Sequence, residues 1–308
     1  MKLHRAGGSS LLVLTAIVIA AVACGRSGER SPSSEVGVVR IAVSIPPQAW
    51  LVERVGGDEL NAVTLLSPGD SPATYQPTDI QISRLMQADV YFRIGVPFEN
   101  GRWFQAVAAS GGPDVVDLRE GVPLRAMEHT HGEEPDAGRD HATGADESHD
   151  PHIWLSPPLL KIQAGTVAET LSRMYPQLAA DIETNLSDLL EELDRADEEI
   201  RERLSAFRGR AFYVFHPAWG YFADEYGLRQ EAIEIEGKEP SDHELTEFQE
   251  LARRDGIPVI FVQPQIAGES ARAVARAIGA GIRILDPLAY DVLSNLRRVA
   301  DELAEVLK

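Results

Sequence analysis

The chain has 308 residues, with 29 lysines and arginines against 48 aspartates and glutamates, and a net charge of −19 at pH 7. So acidic a surface excludes nucleic acid and bare anionic lipid as principal partners, since both need a basic face. A single cysteine excludes an internal disulfide, and the length is ample for a sizeable core, more natural as two lobes than as one.

Lys2 and Arg5 precede an uncharged run from Ala6 to Val22, which closes in Ala21-Val22-Ala23-Cys24. A short apolar stretch behind a basic start, ended by small residues, is the pattern of an export signal and not of a membrane span. Residues 1–23 are therefore expected to be a lipoprotein signal peptide, with Cys24 the lipidated residue. Residues 24–37 are polar and Ser-rich, as a flexible tether would be. The expected location is outside the cytoplasmic membrane, periplasmic or cell-surface, with the membrane touched only through the lipid.

The folded part opens with a β-branched strand over 38–44, stopped by Pro46-Pro47, and a helical pattern over 48–55. Strands follow at 61–66 and 89–94, with a helical pattern over 78–86 between them. A second series has strands at 210–215, 231–235, 258–262 and 282–285, and helical patterns at 243–254, 270–278 and 292–307. This alternation predicts an α/β fold of two lobes, each a mostly parallel sheet flanked by helices, at 38–158 and 209–308. In the linking segment, 159–208, Leu178, Ile182, Leu186, Leu189, Leu193, Ala196, Ile200, Leu204 and Phe207 recur at steps of three or four. That single apolar stripe predicts one long rigid helix joining the lobes, over about 177–207. A coiled-coil dimer would use the same stripe, but packing on its own domain is the expectation, and with it a monomer.

Five of the eight histidines lie between His129 and His152. Residues 129–150 hold seven carboxylates, four histidines and no aliphatic side chain larger than alanine, so a mobile loop is expected there. Directly after comes Pro151-His152-Ile153-Trp154, where a histidine sits among apolar residues and is held in place. His216 ends the strand RAFYVF and precedes Pro217; Asp286 ends IRIL and precedes Pro287. Both stand at carboxyl ends of predicted parallel strands, where open α/β sheets bind ligands. Singly, each reads equally well as an ordinary turn or strand-end residue. Together, imidazoles and a carboxylate beside a histidine-rich loop point to a divalent metal, zinc above calcium or magnesium. His129, His131, His141 and His149 are candidate accessory ligands. Ser241 and Glu244 make a capping box around His243, because HELTE lacks the second histidine of a zinc-protease pair.

Longer motifs add to this: SIPPQAWLVERVGGD (44–58), SPATYQP (71–77), ADVYFRIGVPFE (88–99), DPHIWLSP (150–157), FHPAWGYFADEYGL (215–228), IEGKEPS (235–241), FVQPQ (261–265) and ILDPL (284–288). In these the chain resembles the zinc and manganese solute-binding lipoproteins of ABC importers (the ZnuA/TroA type), from Ile41 to about Leu307. The resemblance implies a non-enzymatic binding protein whose cargo is Zn2+, with Mn2+ or Fe2+ as the close alternative, and whose partners are a permease and its ATPase. It implies that His152, His216 and Asp286 face the metal.

One departure bears on the site. The family's further histidine, in a pattern like SPHxYEP, is Ala73 here. Water, a loop histidine, Tyr75 or Gln76 would have to take its place. A phenol ionises only near about pH 10 and an amide oxygen is a poor zinc ligand, which favours water or a histidine. Gln263 stands where many members carry glutamate. Read as catalytic, the open position would instead suit a secreted zinc hydrolase with Glu236 or Glu239 as general base. A zinc buffer or adhesin without a transporter is the third reading.

Overall fold

The computed structural model describes residues 40–127, 149–232, 246, 248–250, 254–266 and 269–308. Strands β1 (Ile41–Val43), β2 (Ala62–Thr64), β3 (Val90–Arg93) and β4 (Asp114–Asp117) form a parallel sheet of order β2-β1-β3-β4. Its two central strands are buried along their apolar length, Ile41, Val43, Tyr91 and Phe92 included, as parallel strands covered on both faces must be. The edge strand β4 was not expected. Its sequence, DVVD, offers only two apolar residues, and pairing with β3 (Tyr91 opposite Val115) supplies what the pattern does not.

Helix α1 (Pro46–Gly56) begins on two prolines, whose missing N–H groups cost nothing in a first turn. Gln48 Oε1 accepts the backbone N–H groups of Ser44 and Ile45, which closes the helix start. Helix α2 (Asp79–Leu85) is capped by Thr78, and α3 (Arg102–Ala109) completes the first lobe.

The second lobe repeats the plan. Strands β5 (Ala211–Val214), β6 (Arg229–Ala232), β7 (Val259–Val262) and β8 (Gly281–Ile284) lie parallel in the order β6-β5-β7-β8. Its helices include α6 (Gly220–Tyr226), α7 (Glu269–Ile278) and α8 (Val292–Val306). Strand β6 starts two residues before its expected position because α6 stops at Gly227, left-handed at φ 69°, and the chain turns directly into the sheet.

Between the lobes run α4 (Pro157–Met174) and the long α5 (Ala179–Leu204). Single 3-10 turns at Pro176–Leu178 and Ser205–Phe207 flank α5, so the helical path matches the expected 177–207. Helix α4 carried no expectation; like α1 it begins on two prolines, Pro157 and Pro158. The stripe on α5 is buried as its spacing requires: Ile182, Leu189, Leu193, Ala196, Ile200 and Leu204 are at most 1 % exposed. It packs against α4, α1 and α8, so at about 1.5 Å per residue it spans elements of both lobes.

One continuous apolar core follows from this. It runs from β1 and α1 through α4 and α5 to Phe222, Leu296 and Leu303. A smaller cluster around Phe215, Ile260 and Val274 lies under the second sheet alone. No described helix is long and apolar enough to cross a membrane.

Candidate metal centre

Loops leaving the carboxyl ends of both sheets meet at a cavity of about 260 Å3. The first lobe contributes Ala73 after β2 and Gly95 to Pro97 after β3; the second contributes His216 after β5, Gln263 after β7 and Pro287 with Leu288 after β8. His149, Pro151, His152 and Trp154 close the wall between them. This is where sheets of this kind collect ligands, because strand ends and loop backbones converge there.

The two strand-end and turn histidines are brought together. The rings of His152 and His216 lie 5.3 Å apart between centroids, inclined at 73°. His152 is 8 % exposed, and its Nδ1 sits 2.7 Å from Asp150 Oδ1. A carboxylate can only accept, so Nδ1 carries the proton and Nε2 keeps the lone pair a metal would need. The same Asp150 oxygen accepts the backbone N–H of His152 at 3.0 Å, which fixes the turn as well as the ring. Burial pushes the His152 imidazole below its ordinary value of 6.5, the Asp150 carboxylate acting against that trend. A neutral, oriented imidazole results.

His149 lines the same cavity, its backbone paired antiparallel with Ala126. Asp286 is not on the cavity wall, although its neighbours Pro287 and Leu288 are. Its Oδ1 accepts the backbone N–H of Leu288 at 3.0 Å and Gln265 Nε2 at 3.4 Å. Among the described residues, no three His, Cys, Asp or Glu side chains stand close enough to share one ion. The structure thus joins two of the three expected ligands and holds the third in a turn beside them.

Tyr75 and Gln76 line a separate polar pocket with Asp70 and Thr78. The Tyr75 hydroxyl donates to Leu65 O at 2.7 Å and bonds Gln81 Nε2 at 2.6 Å. Gln263, buried at 8 %, faces the cavity, as its place in FVQPQ suggests. Cys24, His129, His131, His141, Glu236, Glu239 and His243 lie outside the described residues.

Sequence reasoning missed Arg125. Its guanidinium lies 3.2 Å from the wholly buried Asp150 and 3.0 Å from Asp224 on α6. No pattern around Leu124-Arg125-Ala126 announces it, because its partners are up to a hundred residues away.

Comparison with known proteins gives a consistent picture. A family model described as zinc-uptake complex component A, periplasmic (ZnuA), matches residues 41–306. The zinc-binding protein AdcA of Streptococcus pyogenes serotype M3 is 26 % identical over 264 residues, covering 82 % of this chain and 51 % of AdcA. The chain therefore spans about half the length of that relative. A crystal structure of ZnuA superposes with a TM-score of 0.78 at 36 % identity, over 88 % of this chain and 100 % of the other. The SBP FpvC of Pseudomonas aeruginosa, solved in complex with Mn2+, shares the fold at 23 % identity and a TM-score of 0.73, over 88 % and 99 % of the two chains.

Proposed function

The chain belongs to the zinc-uptake complex component A (ZnuA) family, and on that premise we propose that it captures Zn2+ outside the cytoplasmic membrane and passes it to an ABC permease and its ATPase. The observation that carries this reading is the pair of imidazoles, His152 and His216, with ring centroids 5.3 Å apart in one cavity. Nitrogen donors lining one cavity suit zinc, which binds imidazole well and needs few ligands.

On this reading His152 and His216 hold the ion, Asp286 joins them by turning its second oxygen toward the cavity, and His149 or water fills the remaining position. Burial favours the neutral imidazole at His152, so no proton need be displaced there at neutral pH. The chain acts as a carrier, not an enzyme. Residues 1–23 serve as the export signal, Cys24 as the lipidated residue, 24–37 as the tether, and His129, His131 and His141 collect metal weakly beside the main site.

Mn2+ capture is the second reading, favoured by the fold shared with a Mn2+-bound protein and by the carboxylate of Asp286. Against it, the described cavity wall presents imidazoles and no carboxylate. Calorimetry of metal-free protein with each ion, followed by competition, tests both. One equivalent of Zn2+ bound in preference to Mn2+ is expected. Failure to bind either metal stoichiometrically would overturn the proposal.

A further inference from the structure

We propose that Arg125 is a positioning residue that clasps helix α6 of the second lobe to the Asp150 carboxylate orienting His152, and so slows release of the bound metal. The inference rests on the zinc-carrier reading above for its functional half only.

The contacts run in series. Asp224 Oδ2 on α6 meets Arg125 Nε at 3.0 Å; Arg125 Nη1 meets Asp150 Oδ2 at 3.2 Å; Asp150 Oδ1 meets His152 Nδ1 at 2.7 Å. A second strand of contacts ties the same residues through Tyr221. Its hydroxyl accepts the Arg125 backbone N–H at 3.0 Å and donates to the Asp150 carbonyl at 3.0 Å. The guanidinium carbon lies 5.8 Å from the Tyr221 ring centroid, within range of a cation–π contact. Arg125 O also accepts the N–H of Asp150 at 3.0 Å. Asp150 has no exposed surface, so its charge depends on neighbours for compensation, and Arg125 supplies a fork with one arm for each carboxylate.

Space for this fork is provided by Gly220, the first residue of α6. A Cβ at that position would overlap Arg125 Nη1 and come 2.9 Å from Asp150 Oδ2. Gly220 is not in a left-handed conformation, so alanine is compatible with its backbone and improves helix propensity. The glycine is there to admit the guanidinium.

The physical consequence is that the second lobe holds His152 indirectly. A shift of α6 that withdraws Asp224 and Tyr221 from Arg125 would free Asp150 to swing, and with it the ring that presents Nε2. Partners of this outer kind typically alter metal affinity by about 10–100-fold.

The test compares wild type with Arg125→Gln and Gly220→Ala, the second of which evicts the guanidinium without altering any charge. Nitrogen-15 spectra of the imidazoles in metal-free protein report the His152 tautomer, and stopped-flow transfer of Zn2+ to excess chelator reports the off-rate. Both variants are expected to replace a single Nδ1–H tautomer by a mixture and to raise the off-rate about tenfold or more. Asp224→Asn is expected to produce a smaller change of the same sign. Wild-type tautomer and off-rate in a folded Gly220→Ala would overturn the clasp. A tautomer change in a protein whose wild type binds no metal would uphold the clasp and remove the zinc reading, so the two fail separately.

Discussion

Trp154 donates its indole N–H to the carbonyl of Pro287 at 2.6 Å, joining the turn that carries His152 to the turn that carries Asp286. The ring is 1 % exposed and lies 5.2 Å from the His152 imidazole, so one side chain packs on His152 and bonds beside Asp286. Trp154→Phe keeps most of the apolar body and leaves a buried carbonyl without its donor. A loss of about 1–3 kcal/mol in denaturant unfolding is expected, together with weaker Zn2+ binding as the Pro287 turn loosens.

Removing either imidazole should be more damaging to binding and milder on the fold. His216→Ala and His152→Ala are each expected to cost more than the ~10–100-fold that follows loss of an outer partner. Calorimetry with Zn2+ measures this directly, and circular dichroism melts separate it from unfolding.

The pH dependence follows from His152. Its folded value is depressed below 6.5 by burial, so above about pH 6.5 the ring is neutral in both folded and unfolded chains and its contribution is whole. As pH falls, the unfolded chain takes up the proton first, and stability drains away until the pH has dropped through the folded value. The melting temperature of metal-free protein should therefore decline below pH 6.5, and His152→Gln should flatten that decline.

Ala73 lines the cavity on the first-lobe side, with its backbone N–H facing Ser71 Oγ at 3.4 Å. Ala73→His would add an imidazole opposite His216. Zn2+ affinity is expected to rise at least ~10-fold, about 1.4 kcal/mol, and competition with a chromogenic chelator reads the change.

Gly95 takes φ 86°, and a Cβ there would stand 2.6 Å from Arg119 Nη1. Glu99, fully buried, accepts the N–H of Gly95 at 2.7 Å and that of Ile94 at 3.0 Å, holding this cavity loop against the first sheet. Gly95→Ala combines left-handed strain with displacement of Arg119 and is expected to cost about 1–2 kcal/mol, measured by urea unfolding.

Much of this was legible because it is local. The buried strands announce themselves by apolar runs, α5 by its three-four spacing, and His216 by a strand that ends in His-Pro. What stayed hidden is tertiary. Strand β4 exists through its neighbour, and α4 begins on two prolines, which turns use as readily. Asp286 has the right residue type at the right strand end, yet its Oδ1 caps the N–H of Leu288, a bond between residues two apart that no motif distinguishes from metal ligation. Tyr75 is similar: its nearness to Ala73 makes it a candidate, while its hydroxyl serves Leu65 and Gln81. The pairing of Gly220 with Arg125 needs the folded chain to be seen at all.

The shared interior through α5 also bears on how an ion would leave on the proposed carrier reading. Swinging the halves apart would wet side chains such as Leu193, Leu204 and Phe222, at about 2.5 kcal/mol for each 100 Å2 of apolar surface exposed. A few square nanometres of such wetting would consume the whole stability of an ordinary protein. On the carrier reading proposed above, unloading would thus be confined to the rim, where turns and rings can shift while the interior stays dry.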